Sequence, residues 1–247
     1  MRLIKTTLLA ASLAAASTAA PAIADGSMGK EAFGAMAREW LLENPEILME
    51  ALEVLETRRQ SEQANSDLEF LRENAAAIYA SPDDWAGGNL QGDITVVEFV
   101  DYRCGYCRRA AEQVEELVGS DGNIRIVMKE FPILGPDSLA SSQFAIAARR
   151  IAGDEAYKKA HDALIALQGP ASDAALKELA EELSLDWTRI QGEMAAPETA
   201  RIIEANQTLA NALQINGTPT FIIKETMVRG FVPLDGMRSI VEGQRKG

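Results

Sequence analysis

The chain has 247 residues, 25% of them charged and 47% hydrophobic, a globular mixture with room for one large domain plus an appendage. Against 24 basic residues stand 37 acidic ones, and the formal charge of −13 argues against nucleic-acid backbones and anionic lipid as partners. Two cysteines exclude a disulfide-dense scaffold and a single histidine excludes a multi-histidine centre, so neither a metal nor a cofactor is expected.

Arg2 and Lys5, the apolar run from Leu8 to Ala20 and the small-x-small pattern Ala22-Ile23-Ala24 read as a signal peptide over 1–24, cleaved after Ala24. Export places the remainder where disulfides form and persist. Residues 25–80 read as helical. Phe33, Met36, Trp40 and Leu41 recur at helical spacing, and Asn44-Pro45 reads as the N-cap and first position of a second helix reaching about Tyr79. Leu48, Leu52 and Leu55 form one apolar stripe; Leu68, Leu71, Ala75 and Ile78 form another in shifted phase, beyond the polar stretch 58–66. Two separated stripes fit an arm or stalk, the alternative being helices packed back on the main domain.

Residues 81–93, with Ser81-Pro82-Asp83-Asp84 and Gly87-Gly88, read as a hinge-like loop. A strand is expected at Ile94 to Val100, a helix at Cys104 to Val118 and a strand at Ile124 to Lys129. Helices with breaks near Gly153, Gly169-Pro170 and Pro197 fill Asp137 to about Gln214; strands at Thr220 to Ile223 and Met227 to Phe231 and a helix at Leu234 to Glu242 follow. This order is an α/β layout with a helical insertion.

Cys104-Gly105-Tyr106-Cys107 carries the chemistry. It sits where a strand has ended and a helix begins, so Cys104 lies near free N–H groups and the positive end of the helix dipole, which favours a thiolate. Cys107 lies one turn further in. An exposed nucleophile and a shielded resolving thiol suit thiol–disulfide exchange. Arg103, Arg108 and Arg109 add local positive charge. A structural bridge this short closes almost no loop, and a zinc site would need four ligands where only His161 is added. His161 itself reads as a surface or packing residue.

Glu98 shares a strand face with Val96 and Val100; buried, its carboxyl has a raised pKa and is placed to relay a proton to or from Cys107, whereas at a sheet edge it faces solvent. In Gly217-Thr218-Pro219-Thr220-Phe221, a cis Thr218–Pro219 bond would offer the Thr218 peptide to an extended substrate, although local sequence alone favours trans.

These motifs together, with Val97-Glu98-Phe99-Val100-Asp101-Tyr102-Arg103, resemble the DsbA-like branch of the thioredoxin superfamily over about residues 82–245. The resemblance implies a thioredoxin fold over 81–247 with a helical domain inserted at about 137–214, preceded by a helical stalk over 25–80. It implies Cys104 as attacking and Cys107 as resolving cysteine, Glu98 as the buried acid, a cis Pro219, and Thr218, Pro219, Gly105 and Tyr106 facing the substrate. The chain departs from the oxidase DsbA in having Gly105-Tyr106 rather than Pro-His between the cysteines, Thr218 rather than valine before the proline, and the N-terminal extension. Arg38-Glu39-Trp40-Leu41-Leu42-Glu43-Asn44-Pro45-Glu46-Ile47-Leu48 looks like the N-terminal region of ScsC-type proteins, the copper-sensitivity suppressors, in which the extension is an oligomerisation stalk.

The expectation is a periplasmic thiol–disulfide isomerase or reductase, trimeric through residues 25–80. Its partners would be exported proteins with cysteines or disulfides and a membrane redox protein that resets the dithiol. A monomeric dithiol oxidase is the second reading, separated by its potential, and a Cu(I)-binding protein using the two thiolates is the third.

Overall fold

The computed structural model describes residues 29–246, so the signal peptide expected at 1–24 lies outside the described residues. The chain divides into two compact units, one ending at Leu55 and the other beginning at Glu56. The described part of the first holds helix α1 (Lys30–Glu43) and the opening of α2 (Glu46–Glu73). Asn44 serves the helix behind it rather than the one ahead. Its backbone N–H and its side-chain amide both donate to the Trp40 carbonyl, so it closes α1. No residue of α1 is buried. Among the described residues Phe33, Met36, Trp40, Leu48, Leu52 and Leu55 are each 44–59% exposed, large apolar side chains at the surface of these helices.

In the second unit, α2 stops at Glu73, short of the expected end. Asn74 donates its side-chain amide back to the Phe70 carbonyl, and a short helix α3 (Ala75–Tyr79) follows. Then come β1 (Trp85–Gly88), β2 (Ile94–Val100), α4 (Gly105–Asp121) and β3 (Ile124–Glu130). Five helices form the insertion: α5 (Pro136–Ala152), α6 (Asp154–Ala166), α7 (Asp173–Glu182), α8 (Trp187–Met194) and α9 (Pro197–Ala212). Strands β4 (Thr220–Ile223) and β5 (Thr226–Arg229) and helix α10 (Leu234–Lys246) complete it. The sheet order is β1-β3-β2-β4-β5, with β2 and β3 parallel and the other pairs antiparallel. This is the α/β thioredoxin fold with helical insertion that the sequence resembles.

Strand β1 corrects the reading of 81–93 as a loop. Trp85 is buried and stacks on Tyr157, which anchors the segment, and its four residues pair with β3. Gly88 has φ +67, and a Cβ there would lie 2.5 Å from the Ile124 carbonyl oxygen. Its glycine permits a close strand approach rather than a hinge. Buried Lys129 ties β3 to the start of this segment by bonding the Asp84 carboxylate and the Ala77 carbonyl.

The sheet carries a core on each face. Val96, Val100, Ile126, Met128 and Phe221 pack with α4, α5 and α6, while Val97, Phe99, Val127 and Ile222 pack with Leu71, Ile78, Leu209 and Leu213. Leu71 and Ile78 of the second stripe are therefore part of the thioredoxin core. Asp67, also buried, receives two bonds from the Arg229 guanidinium at 2.7 and 2.8 Å. Burial opposes its ionisation, but Arg229 and the Gln63 amide outweigh that and hold its pKa below the usual range. Truncating Ile78 to Ala removes a fully buried side chain and is expected to cost about 2–4 kcal/mol in urea unfolding, whereas Leu52→Ala changes the stability of the sheet-bearing unit by less than about 0.5 kcal/mol.

Candidate active site

Strand β2 ends at Val100, and the next four residues turn the chain into α4. Asp101 holds the turn. Its buried carboxylate accepts from the Arg103 N–H at 2.8 Å, the Ser138 hydroxyl at 2.8 Å and the N–H groups of Ile133 and Leu134 at 2.8 and 3.1 Å. One side chain thus fixes the cysteine loop against the β3–α5 loop. The sequence reading missed this role, although an Asp two residues before a free backbone N–H is a local signal for such a turn.

Cys104 is the N-cap residue of α4, 8% exposed, and Cys107 is fully buried one turn inside. The Cys104 Sγ lies 3.1 Å from the Thr218 carbonyl oxygen, to which the thiol donates. Its pKa is lowered to about 5, first by a hydrogen bond from the Cys107 thiol, then, against the cost of burial, by the Thr218 side chain and the N–H groups of Cys107 and Tyr106. The helix start contributes as expected. The arginines do not stand among the main causes. Arg108 is spent on the carbonyls of Tyr102 and Leu167, and Arg109 lies over the rings of Tyr106 and Phe231. The Cys107 thiol moves far upward, first because it donates to the Cys104 thiolate, then through burial and the nearby Glu98 charge.

Glu98 is 3% exposed in the central strand, flanked in register by Met128 and Phe221, so the solvent-facing alternative does not hold. Burial, then the charges of Cys104 and Glu130, raise its pKa to about 8. A cleft of about 530 Å³ between α4, α6 and the sheet reaches Glu98 and His161. A second buried acid, Glu130, escaped the sequence reading although it shares its strand face with Ile124, Ile126 and Met128. Burial raises it to about 7, partly offset by the Tyr157 and Tyr102 hydroxyls, which donate to its Oε1 at 2.6 and 2.8 Å. His161 packs against both tyrosine rings, and burial depresses its pKa to about 4. This is the packing role expected for it.

The Thr218–Pro219 peptide is cis, as the resemblance implied against the local sequence, and Pro219 is buried beside Cys104. Gly105 meets nothing that a Cβ would strike, and Tyr106 is 57% exposed against Phe231. Cys104, Cys107, Glu98, Thr218 and Pro219 thus converge on one end of β2.

Residues 95–242 match the family model of the DSBA-like thioredoxin domain. The chain belongs to that family. Residues 30–62 match a second model, the copper resistance protein ScsC N-terminal domain. A thioredoxin-like oxidoreductase from Silicibacter pomeroyi is 39% identical, covers 70% of this chain and 99% of its own, and superposes with a TM-score of 0.66. Salmonella enterica Typhimurium BcfH is 25% identical with a TM-score of 0.73, covering 86% of this chain and 94% of its own. A linker-deleted Proteus mirabilis ScsC, 22% identical over 92% of this chain and 99% of its own, shares the fold with a TM-score of 0.67. The Na(+)/H(+) antiporter NhaA 1 of Salinispora arenicola is 33% identical over 166 residues, 66% of this chain. The chain spans about a quarter of the length of the curated relatives it matches. Among the described residues no helix is long and apolar enough to cross a membrane.

Titrating the thiolate absorbance of the reduced protein is expected to give an apparent pKa of about 5 for Cys104, and Cys107→Ala, which removes the strongest hydrogen bond, raises it by roughly one unit or more. Glu98 has a raised pKa, so the stability it lends is complete below the carboxyl's unfolded value and is lost as pH rises to about 8. Glu98→Gln is therefore expected to be near neutral at low pH and to stabilise the reduced protein by roughly 1–3 kcal/mol at the upper end of that window, read by urea unfolding at both ends.

Proposed function

We propose that this protein works in the periplasm as a disulfide isomerase and reductase, with Cys104 as nucleophile, Cys107 as resolving thiol and Glu98 as proton acceptor. The observation that carries the isomerase reading is the set of apolar side chains of α1 and the start of α2 that stand exposed among the described residues and overlap the match to the ScsC N-terminal domain. A second and third copy are its natural cover, and joined copies raise the effective concentration of dithiols around one misfolded chain. The residues before Glu56 would then be the assembly element, and those from Glu56 onward the working unit.

The chemistry follows from the charges. Cys104 enters as a thiolate and attacks a substrate disulfide; a mixed disulfide forms and one substrate thiolate leaves. That thiolate then attacks elsewhere in the substrate, and the last exchange releases Cys104. Alternatively, Cys107 attacks the Cys104 sulfur and reduces the substrate, giving up its proton. Bonding Cys104 to the substrate removes the charge that lifts Glu98 and the acceptor that holds the Cys107 proton. Glu98 then ionises more readily, and its carboxylate is available to accept the Cys107 proton at the step that needs it.

The test is solution mass by light scattering, with reactivation of a scrambled-disulfide substrate, for the chain from Asp25 and for one from Glu56. Starting the shorter chain at 81 instead would strip Leu71 and Ile78 from the core. The longer chain is expected to be oligomeric and the shorter monomeric, with isomerase activity falling about tenfold or more between them. A longer chain that stays monomeric at all concentrations favours the dithiol oxidase. Cys104→Ser is expected to abolish exchange in both.

A further inference from the structure

Beside Thr218 lies a polar recess of about 390 Å³, walled by Gln63, Gln214, Asn216, Thr218, Thr220 and Arg229. We infer that it is a specificity subsite that receives an uncharged polar side chain of an extended polypeptide substrate, one wall being supplied by the N-terminal helix α2. The inference rests on the exchange reading and adds to it which substrate sequences are preferred.

Position comes first. The Thr218 carbonyl is 3.1 Å from the Cys104 Sγ, so the recess shares a residue with the nucleophile. An extended chain advances about 3.3–3.6 Å per residue, so a substrate cysteine bonded to Cys104 has its immediate neighbours within reach of the recess.

Chemistry comes second. The one cation in the wall, Arg229, is committed to Asp67 through two bonds, and the pair carries no net charge. Three of the donors around it are engaged as well. Gln63 Nε2 donates to Asp67 at 2.8 Å, Asn216 Nδ2 to the Gln214 carbonyl at 3.3 Å, and the Thr220 hydroxyl to the Gly217 carbonyl at 2.8 Å. A carboxylate entering here finds few donors, and a lysine meets the guanidinium. An amide or hydroxyl side chain can give its protons to amide and hydroxyl oxygens, whereas an apolar one would strip water from them without replacement.

Rigidity comes third. Gln63 reaches the recess because α2 is fixed just beyond it. Asp67 is clamped by Arg229, and Leu71 is buried against the sheet. The wall is preorganised rather than recruited by the substrate.

The experiment uses the chain from Asp25 carrying Cys107→Ala, so that mixed disulfides persist. Cysteine peptides, each joined through a disulfide to a chromogenic thiol, are mixed with it. The Cys104 thiolate attacks the peptide sulfur, the bond to the chromogenic sulfur breaks, and that thiolate is released and counted. Gln, Leu, Glu or Lys occupies in turn each of the two positions on either side of the cysteine, with Ala elsewhere. At one position Gln is expected to react about fivefold to tenfold faster than Leu, and faster than Glu or Lys, the scale of one or two hydrogen bonds. Gln63→Leu, at an exposed position and leaving both Arg229 bonds to Asp67 in place, is expected to cut the Gln-over-Leu ratio below about twofold. Equal rates at every position, or a preference for Glu or Lys, overturn the subsite. A ratio unchanged by Gln63→Leu overturns the part given to α2. If no peptide reacts through Cys104, the exchange reading itself fails, and the subsite falls with it.

Discussion

Strand β2 is buried on both faces, and covering those faces dictates where much of the chain goes. Side chains alternate along a strand, so Val96 and Val100 need one cover while Val97 and Phe99 need another. Helix α4 and the inserted helices supply the first. The second comes from α9 together with the end of α2 and α3, which is why the polar helix before Asn74 finishes with Leu71 and the short helix after it carries Ile78. A segment that reads as an appendage in sequence is, in its last third, a structural wall of the domain that does the chemistry.

The same burial makes the site work. Glu98 takes a place in β2 that an apolar residue would fill more stably, and its cost is what brings a carboxyl into the neutral range. At that strand end one negative charge, on Cys104, is accommodated by hydrogen bonds, and the neighbouring Glu98 and Cys107 hold protons in consequence. The arrangement is a set of coupled titrations rather than three independent pKa values. Glu130, bound by two tyrosine hydroxyls, extends this buried acid system away from the cysteines.

The sequence was most informative where interactions are local. The boundaries of β2 and β4, the starts of β3 and α4, the placement of Cys104 at a helix start and the inward position of Cys107 follow from periodicity and from elementary helix geometry. Glu98 was recognised as special, but its burial needed the register of β2 between β3 and β4. What escaped reading depends on distant partners. β1 is a strand because Trp85 reaches Tyr157 and Gly88 can approach Ile124. The end of α2 docks because Asp67 meets Arg229, 162 residues later. The arginines show the reverse: in sequence they stand as local charge, and in the fold Arg108 and Arg109 act as structural braces.

The low pKa of Cys104 has a further consequence for the energetics of the working cycle. In the reduced protein the thiolate is favoured by the fold, a contribution gained as pH rises above about 5 and complete at the unfolded value. Discounted for partial access to solvent, it is worth roughly 1–2 kcal/mol near neutral pH. Closing the Cys104–Cys107 ring forfeits that contribution, while so small a ring removes only about 1–2 kcal/mol of unfolded-chain entropy. The two nearly cancel. Electrons can therefore enter and leave the dithiol through repeated turnovers with little change in how firmly the scaffold holds together, unlike a structural bridge whose reduction would loosen the molecule.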